Sequence, residues 1–373
     1  MKVLIPLGTR PEIIKLAPVV RVLRAAGFAV RTVATGQHFD PALTDTFFED
    51  LGVAPDDRWV VQGEEADRVG RILSLAFREL AERRPDLVLT LGDTYTVPLF
   101  CLAARRHRVP VAHLEAGLRS GNQTSIEETN RKVAAVAASL HLAPTDLAAR
   151  FLRTEGVAEE RIAVVGNPIV DVLRQLGIPR RPPAERDGIV LTAHRPTNVD
   201  DPDRLERLIE LAVRLAAEIA PVTFPVHPRT ARRLEACQAE GRLEAGGVRL
   251  LPPLPYPEML ARIAGARLIV TDSGGLQEEA SWFGVPVVVL RSSTPRWEGV
   301  EAGTSVLAGL DPDRAVEAGK QLTTPEEQRR VAAAPCPYGD GHTAERVAAL
   351  LDDPAVLRLL TLEEPSLRVR TPR

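Results

Sequence analysis

Cysteine is scarce: Cys101, Cys237 and Cys336 are the three in 373 residues. They are odd in number and none stands in a Cys-x-x-Cys pair, which argues against a disulfide framework and against a thiolate zinc site. Lysine is nearly as rare. Only Lys2, Lys15, Lys132 and Lys320 contribute to the 47 basic residues, and the rest are arginine. No run of about 18 apolar residues occurs, so no membrane span is expected. The formal net charge is −3, which excludes a global basic field for nucleic acid and leaves the binding of any anion to local groups. The opening MKVLIPLGTRPE lacks the long apolar core and cleavage site of a signal peptide, so a cytoplasmic protein is the expectation. Also missing are a Gly-x-Ser-x-Gly elbow, a metal-ligand spacing, a solenoid repeat and any low-complexity stretch.

What is present alternates. Short apolar runs (KVLIPL, FAVRTVAT, DLVLTLGD, VPVAHLEAG, LHLAPT, RIAVVGNP) are separated by helical periods over 11–26, 66–83, 96–107 and 127–138. This predicts a parallel sheet with helices on both faces. After the linker GIPRRPPAERDG the pattern resumes. IVLTAHR, PVTFPVHP, VRLLPPLP, RLIVTDSGG and VPVVVLR read as strands, and 201–219, 230–240, YPEMLARIAGA and LQEEASWFG as helices. The reading is an α/β protein of two Rossmann-like doubly wound domains facing a central cleft. The first spans 1–168 and the second 169–352, with the tail 353–373 a candidate to pack back on the first and its last ten residues expected to be disordered. Ligands in such sheets bind beyond the carboxyl ends of the strands.

The polar motifs fall at those ends. TDSGGLQEEA places Ser273, Gly274 and Gly275 at a helix start after a strand, where glycines admit a ligand to free N–H groups that favour an anion. Glu278 and Glu279 follow one turn later and could accept from sugar hydroxyls. In GTRPE, Pro11 suits the first helical position and Glu12 the positive end of the helix dipole, while Arg10 points from the turn toward the cleft. Lys15, a turn further on, is either a point charge for a phosphate or uracil-side contact or a residue without a role. LTAHR and PVHPRT put His194 and His227 after consecutive strands. Asp93 and Glu115 follow two strands of the first half, and SIEETNR offers Glu127, Glu128 and Arg131 at a helix start, where Ser125 and Glu128 also fit a capping box. Neighbouring carboxylates can hold different protonation states, which suits proton transfer.

GTRPEIIKLAPV, TGQH, GDT, HLEAGLRS, EETNR, LTAHR, HP, TDSGGLQEEA, R…EGVEAGT and PYGDG occur in this order over about residues 3–350. In this the chain closely resembles the non-hydrolysing UDP-N-acetylglucosamine 2-epimerases. The resemblance implies the two-domain fold of many nucleotide-sugar glycosyltransferases (GT-B-like), a homodimer, and no metal, nicotinamide or other cofactor. It implies UDP-N-acetylglucosamine, UDP-N-acetylmannosamine and UDP as ligands, in supply of mannosamine units for cell-surface polysaccharide. By motif, Arg10 and Lys15 would lie on the uridine diphosphate side. Ser273, Gly274, Gly275 and His194 would hold the diphosphate, with Glu278 on the ribose and His227 nearby. Asp93, Glu115 and Glu127 would form the acid–base set around the hexose, with Arg131 and Arg296 as supports. Gln37 and His38 of TGQH are candidates for an allosteric site. The implied chemistry is departure of UDP from C1, loss of the C2 proton to give a 2-acetamidoglucal, and re-addition with a proton from the other face. Three local departures bear on rate and sugar preference: Ile126 replaces a proline before the Glu pair, HRPTN stands for HRREN, and STPRWEG stands for TTERPEG. The competing readings are a hydrolysing 2-epimerase, a glycosyltransferase of the same fold and a non-catalytic nucleotide-sugar sensor.

Overall fold

The computed structural model describes residues 1–37 and 52–362. His38 and the last ten residues, both subjects of expectations above, lie outside them. The chain forms two compact units. One comprises Met1–Leu118, Gln123–Asp171 and the chain from His342 onward; the other comprises Arg119–Asn122 and Val172–Gly341.

The first unit is built on seven parallel strands: β1 (Lys2–Leu7), β2 (Ala29–Ala34), β3 (Asp57–Arg58), β4 (Leu87–Leu91), β5 (Val111–Leu114), β6 (Leu140–Ala143) and β7 (Ile162–Val164). Their order is β3-β2-β1-β4-β5-β6-β7. β4 and β5 are buried at every position, as strands covered on both faces must be. One apolar layer sets Ile13, Leu16, Val20 and Leu23 of the helix Arg10–Ala25 against the sheet, together with Val347 and Leu351. The other face carries Ile72, Leu80, Val97 and Phe100 from the helices Glu65–Arg83 and Thr96–Arg106.

Val347 and Leu351 belong to the helix Thr343–Asp352, so the chain re-enters the first unit at residue 342, earlier than the 353 read from sequence. Asp171 receives it: the buried carboxylate accepts the N–H groups of Thr343 (3.1 Å) and Ala344 (2.8 Å). The short helix Pro354–Leu360 adds Val356 and Leu360 to the same layer.

The second unit has six parallel strands: β8 (Ile189–Thr192), β9 (Val222–Pro225), β10 (Val248–Leu251), β11 (Leu268–Thr271), β12 (Val287–Val289) and β13 (Ser305–Leu307), in order β10-β9-β8-β11-β12-β13. β3 and β13, of two and three residues, are too short to register as periodic runs and were not anticipated. The helix expected over 230–240 is two, Pro228–Ala236 and Glu240–Ala245, broken where Gln238 turns to φ +53°.

Both sheets reverse their order at one place, between β1 and β4 and between β8 and β11. Loops leave those paired strands in opposite directions, which opens a crevice at their carboxyl ends. In the first unit the β1–β4 register covers only Val3–Leu4 against Leu87–Val88. The Met1 and Leu7 carbonyls accept from the β2 side and that of Lys2 from Asp86 before β4, so Pro6 faces β4 and offers it no N–H. A proline in a central strand thus marks where the ladder ends and the crevice begins.

Candidate active site

The β1 turn of the first unit is tied by Glu12. Its carboxylate folds back to accept the N–H groups of Gly8 (2.7 Å) and Thr9 (2.9 Å), and reaches Oγ1 of Thr94 after β4 at 2.6 Å. A Cβ at Gly8 would stand 2.5 Å from both Glu12 Oε2 and Thr96 Oγ1, so only glycine fits under this carboxylate. Burial raises the Glu12 acid to about 7, opposed by its hydrogen bonds and assisted by the charge of Asp93. Glu12 therefore does more than complement a helix dipole: it fastens the β1 turn to the β4 loop.

Glu115, directly after β5, has φ +60°, a left-handed conformation that costs a non-glycine residue of order 1 kcal/mol or more. Its surroundings hold it there. Lys15 Nζ lies 2.5 Å from Oε1, both side chains being buried, and Asn167 Nδ2 donates to the same oxygen at 2.9 Å. Gly117, at φ +85°, brings its backbone against the Ala148 carbonyl, where a Cβ would fall at 2.2 Å. Lys15 is thus engaged with a carboxylate. A single point charge beside a buried acid makes it less costly to keep that acid ionised.

Asp93 after β4 pairs with Arg131, and Asn130 Nδ2 donates to the Asp93 carbonyl at 2.8 Å. Arg131 also grips Glu128, at 2.5 Å from Nη2 and 3.1 Å from Nε. The capping-box reading of Ser125 and Glu128 is corrected: Ser125 makes no side-chain cap bond, its hydroxyl donates to Glu127, and Glu128 turns inward to the arginine. A buried guanidinium offers Glu128 a stronger, charge-assisted partner than the N-cap amide. Arg10 stands exposed at the start of its helix. Gln37 is buried, and its Oε1 accepts from Thr96 N (3.2 Å) and Thr96 Oγ1 (2.8 Å).

In the second unit the corresponding strand ends carry His194 and Asp272. Asp272, fully buried after β11, accepts from His194 N (3.1 Å), Arg195 N (2.9 Å) and Asn198 Nδ2 (3.1 Å), and lies 3.3 Å from His194 Nδ1. His227 caps the helix Pro228–Ala236: its Nδ1 accepts the Arg229 N–H at 3.2 Å, and its ring centroid is 5.3 Å from that of His194. Burial lowers both histidines below the ordinary value; Arg195 and Arg229 add to this at His194 against the pull of Asp272, and His194 and Arg229 add to it at His227.

Ser273 is the N-cap of the helix Gly274–Phe283 and makes no side-chain cap bond. Gly275 faces open space and Gly274 lies under the Arg296 guanidinium, 3.7 Å from where a Cβ would be. Arg296 Nε donates to the fully buried Glu278 at 2.7 Å. Arg296, expected among the supports of the hexose acids, is therefore held by Glu278 of its own unit. Tyr256 Oη donates to Glu279 at 2.9 Å, and Trp297 Nε1 donates to the Arg119 carbonyl at 3.0 Å.

Among the described residues no group of three or more His, Cys, Asp or Glu side chains could hold a metal ion, and no helix is long and apolar enough to cross a membrane. A family model described as UDP-N-acetylglucosamine 2-epimerase matches residues 21–352. The chain belongs to that family. It is 35% identical to the UDP-N-acetylglucosamine 2-epimerase of Methanocaldococcus jannaschii, over 94% of this chain and 99% of the relative. The crystal structure of that archaeal enzyme in complex with UDP-GlcNAc and UDP is similar at a TM-score of 0.84, covering 94% of this chain and 99% of the other. The UDP-2,3-diacetamido-2,3-dideoxy-D-glucuronate 2-epimerase of Pseudomonas aeruginosa is 34% identical, over 94% of this chain and 99% of that relative.

Within this epimerase-family chain the structure joins the sequence-derived residues as Lys15 with Glu115, Arg131 with Asp93, His194 beside His227, and Glu278 with Arg296. Sequence reasoning passed over Asn167, Asp272 and Asn198. Asp272 had a signal, an acid at the end of a strand just before the glycine turn. Asn167 had only its place after a weak strand, 52 residues from the carboxylate it holds.

Proposed function

We propose that the protein interconverts UDP-N-acetylglucosamine and UDP-N-acetylmannosamine without net hydrolysis, as a non-hydrolysing isomerase. His194, His227 and the Ser273–Gly275 turn are assigned to the diphosphate, and Asp93, Glu115 and Glu127 to the hexose. The observation that carries this is Glu115, buried, strained at φ +60° and tied by Lys15 and Asn167. Strain held in place by a buried ion pair supports a reactive acid better than a structural one.

The C2 proton is not acidic until C1 becomes electron-poor, so departure of UDP comes first. The helix-start N–H groups of Gly274 and Gly275, with His194 and His227, favour the charge that develops on the leaving diphosphate. Glu115, Asp93 and Glu127 are candidates to remove the C2 proton and to return one to the other face. Two faces require two groups, and carboxylates with different neighbours can hold different protonation states. Arg131 keeps Asp93 in register with the helix that carries Glu127. Re-addition of UDP to the retained 2-acetamidoglucal completes the cycle, and a homodimer is proposed as the working form.

The test is proton NMR of UDP-N-acetylglucosamine with the protein in deuterium oxide. A mannosamine-configured sugar nucleotide with deuterium at C2 of both epimers, and little free UDP, is expected. Accumulating UDP would mean hydrolysis or transfer. The same assay with the 2,3-diacetamido uronate distinguishes the substrate class of the Pseudomonas relative.

A further inference from the structure

His194 and His227 sit ring to ring, yet the groups facing their Nδ1 atoms, a carboxylate for one and a backbone N–H for the other, call for opposite tautomers. Two backbone N–H groups and the Asn198 amide donate to the Asp272 carboxylate, and His194 Nδ1 lies 3.3 Å from its Oδ1. A carboxylate in that position only accepts, so His194 carries its proton on Nδ1 and its neutral ring presents a lone pair at Nε2. His227 is the reverse. Its Nδ1 accepts the Arg229 N–H at 3.2 Å, so its proton is on Nε2 and the neutral ring already presents a donor.

Protonating His227 would put a proton where the Arg229 N–H now points and would break the cap of its helix. Protonating His194 at Nε2 breaks none of these bonds. The charged and titratable groups facing His194 are Asp272 at the end of β11, Arg195 in its own loop, and His227 and Arg229 at the start of the helix Pro228–Ala236; Arg232 also acts on His227. We propose that Asp272 is a positioning residue that makes His194 the proton-accepting member of the pair, so that binding of a nucleoside diphosphate draws one proton onto His194 and none onto His227. This rests on the reading above that the pair meets the diphosphate. It adds to that reading a division of labour: His227 is a constant donor and His194 a donor that the anion itself switches on. Without ligand the pair is held neutral by burial and by the neighbouring arginines, consistent with both histidines lying below their ordinary value.

The experiment is calorimetric titration of UDP into the protein at about pH 8, above the ordinary histidine range, in two buffers of different ionisation enthalpy. The expected result is uptake of about one proton per UDP, with affinity falling about tenfold per pH unit in that range, as one linked proton requires. Asp272→Asn presents an amide N–H to Nδ1 and moves the His194 proton to Nε2; uptake should fall to near zero and the pH slope should flatten. His227→Asn keeps the helix cap; it should weaken UDP binding while uptake stays near one. Long-range proton–nitrogen spectra of ¹⁵N-histidine in the unliganded wild type test the tautomers directly, whatever the fate of the variants. They should show His194 protonated on Nδ1 and His227 on Nε2. UDP that binds without proton uptake, uptake that survives Asp272→Asn, or reversed tautomers would each overturn the proposal alone. UDP that does not bind would overturn it together with the functional reading.

Discussion

In the first unit the acids of the candidate site have cations built against them: Lys15 on Glu115, and Arg131 on Asp93 and Glu128. In the second, the ends of β8 and β9 carry two histidines held below their ordinary pKa, the end of β11 leads into a glycine-opened helix start, and the buried Glu278 of that helix pairs with Arg296. Over six strands both sheets have the same order, and the acids and the histidines hang from strand ends at or next to the reversal, β4 and β5 in the first unit and β8 and β9 in the second. The fold therefore supplies the place, and the side chains decide its use. Acids whose charge is balanced internally can act on an uncharged sugar ring. A surface of donors awaiting negative charge suits a diphosphate.

The largest expected effect breaks the first half while sparing the second. Glu115→Gln or Asp93→Asn should lower turnover by about 10²–10⁴-fold, the usual range for a lost acid or base. UDP affinity by calorimetry should stay within a few-fold; full activity in both variants would end the acid–base assignment. Next, Arg296→Met leaves the fully buried Glu278 without its arginine and should cost about 3–5 kcal/mol in denaturant unfolding, with weaker UDP binding. A loss below about 1 kcal/mol would mean that the pair adds little to the fold.

Glu12 supplies a pH test confined to the first unit. Its folded value of about 7 is raised from 4.5, so the native state holds the proton more tightly than the unfolded one. The resulting stability is fully present below the unfolded value and is lost as pH rises through about 7, a change of about 3 kcal/mol. Wild type should lose that stability relative to Glu12→Gln between about pH 4.5 and 7. Parallel curves would show that Glu12 titrates normally. The smallest effect separates two helix starts. Thr145→Ala removes a real cap on Ala148 N and should cost about 1 kcal/mol, whereas Ser125→Ala removes none and should change stability by no more than about 0.5 kcal/mol.

Much of this was legible in the residues. Apolar runs with glycine, an acid or histidine at their ends located β1, β4, β5, β8 and β11, and hence the loops that carry Arg10, Asp93, Glu115, His194 and Ser273. Pairing was not legible. Periodicity says which face of an element is apolar but not which distant group a polar side chain meets. Asn167 meets Glu115 across 52 residues, and Arg296 meets Glu278 across 18. Glu12 looked like a dipole complement because its helical position is visible in sequence and its burial is not. Glu128 looked like a capping partner for the same reason, since the box spacing does not reveal Arg131 beneath it.

The return of the helix Thr343–Asp352 sets an order for biosynthesis. Its residues Ala344, Val347 and Leu351 share one apolar layer with β1 and the helix Arg10–Ala25, which are translated well before it. That layer stays incomplete until translation has passed the helix Thr343–Asp352. The second unit, contiguous but for Arg119–Asn122, can form in the meantime. A nascent chain halted near Gly341 should therefore hold a nearly complete second unit and a first unit with an uncovered apolar face, the state in which a chaperone would find it.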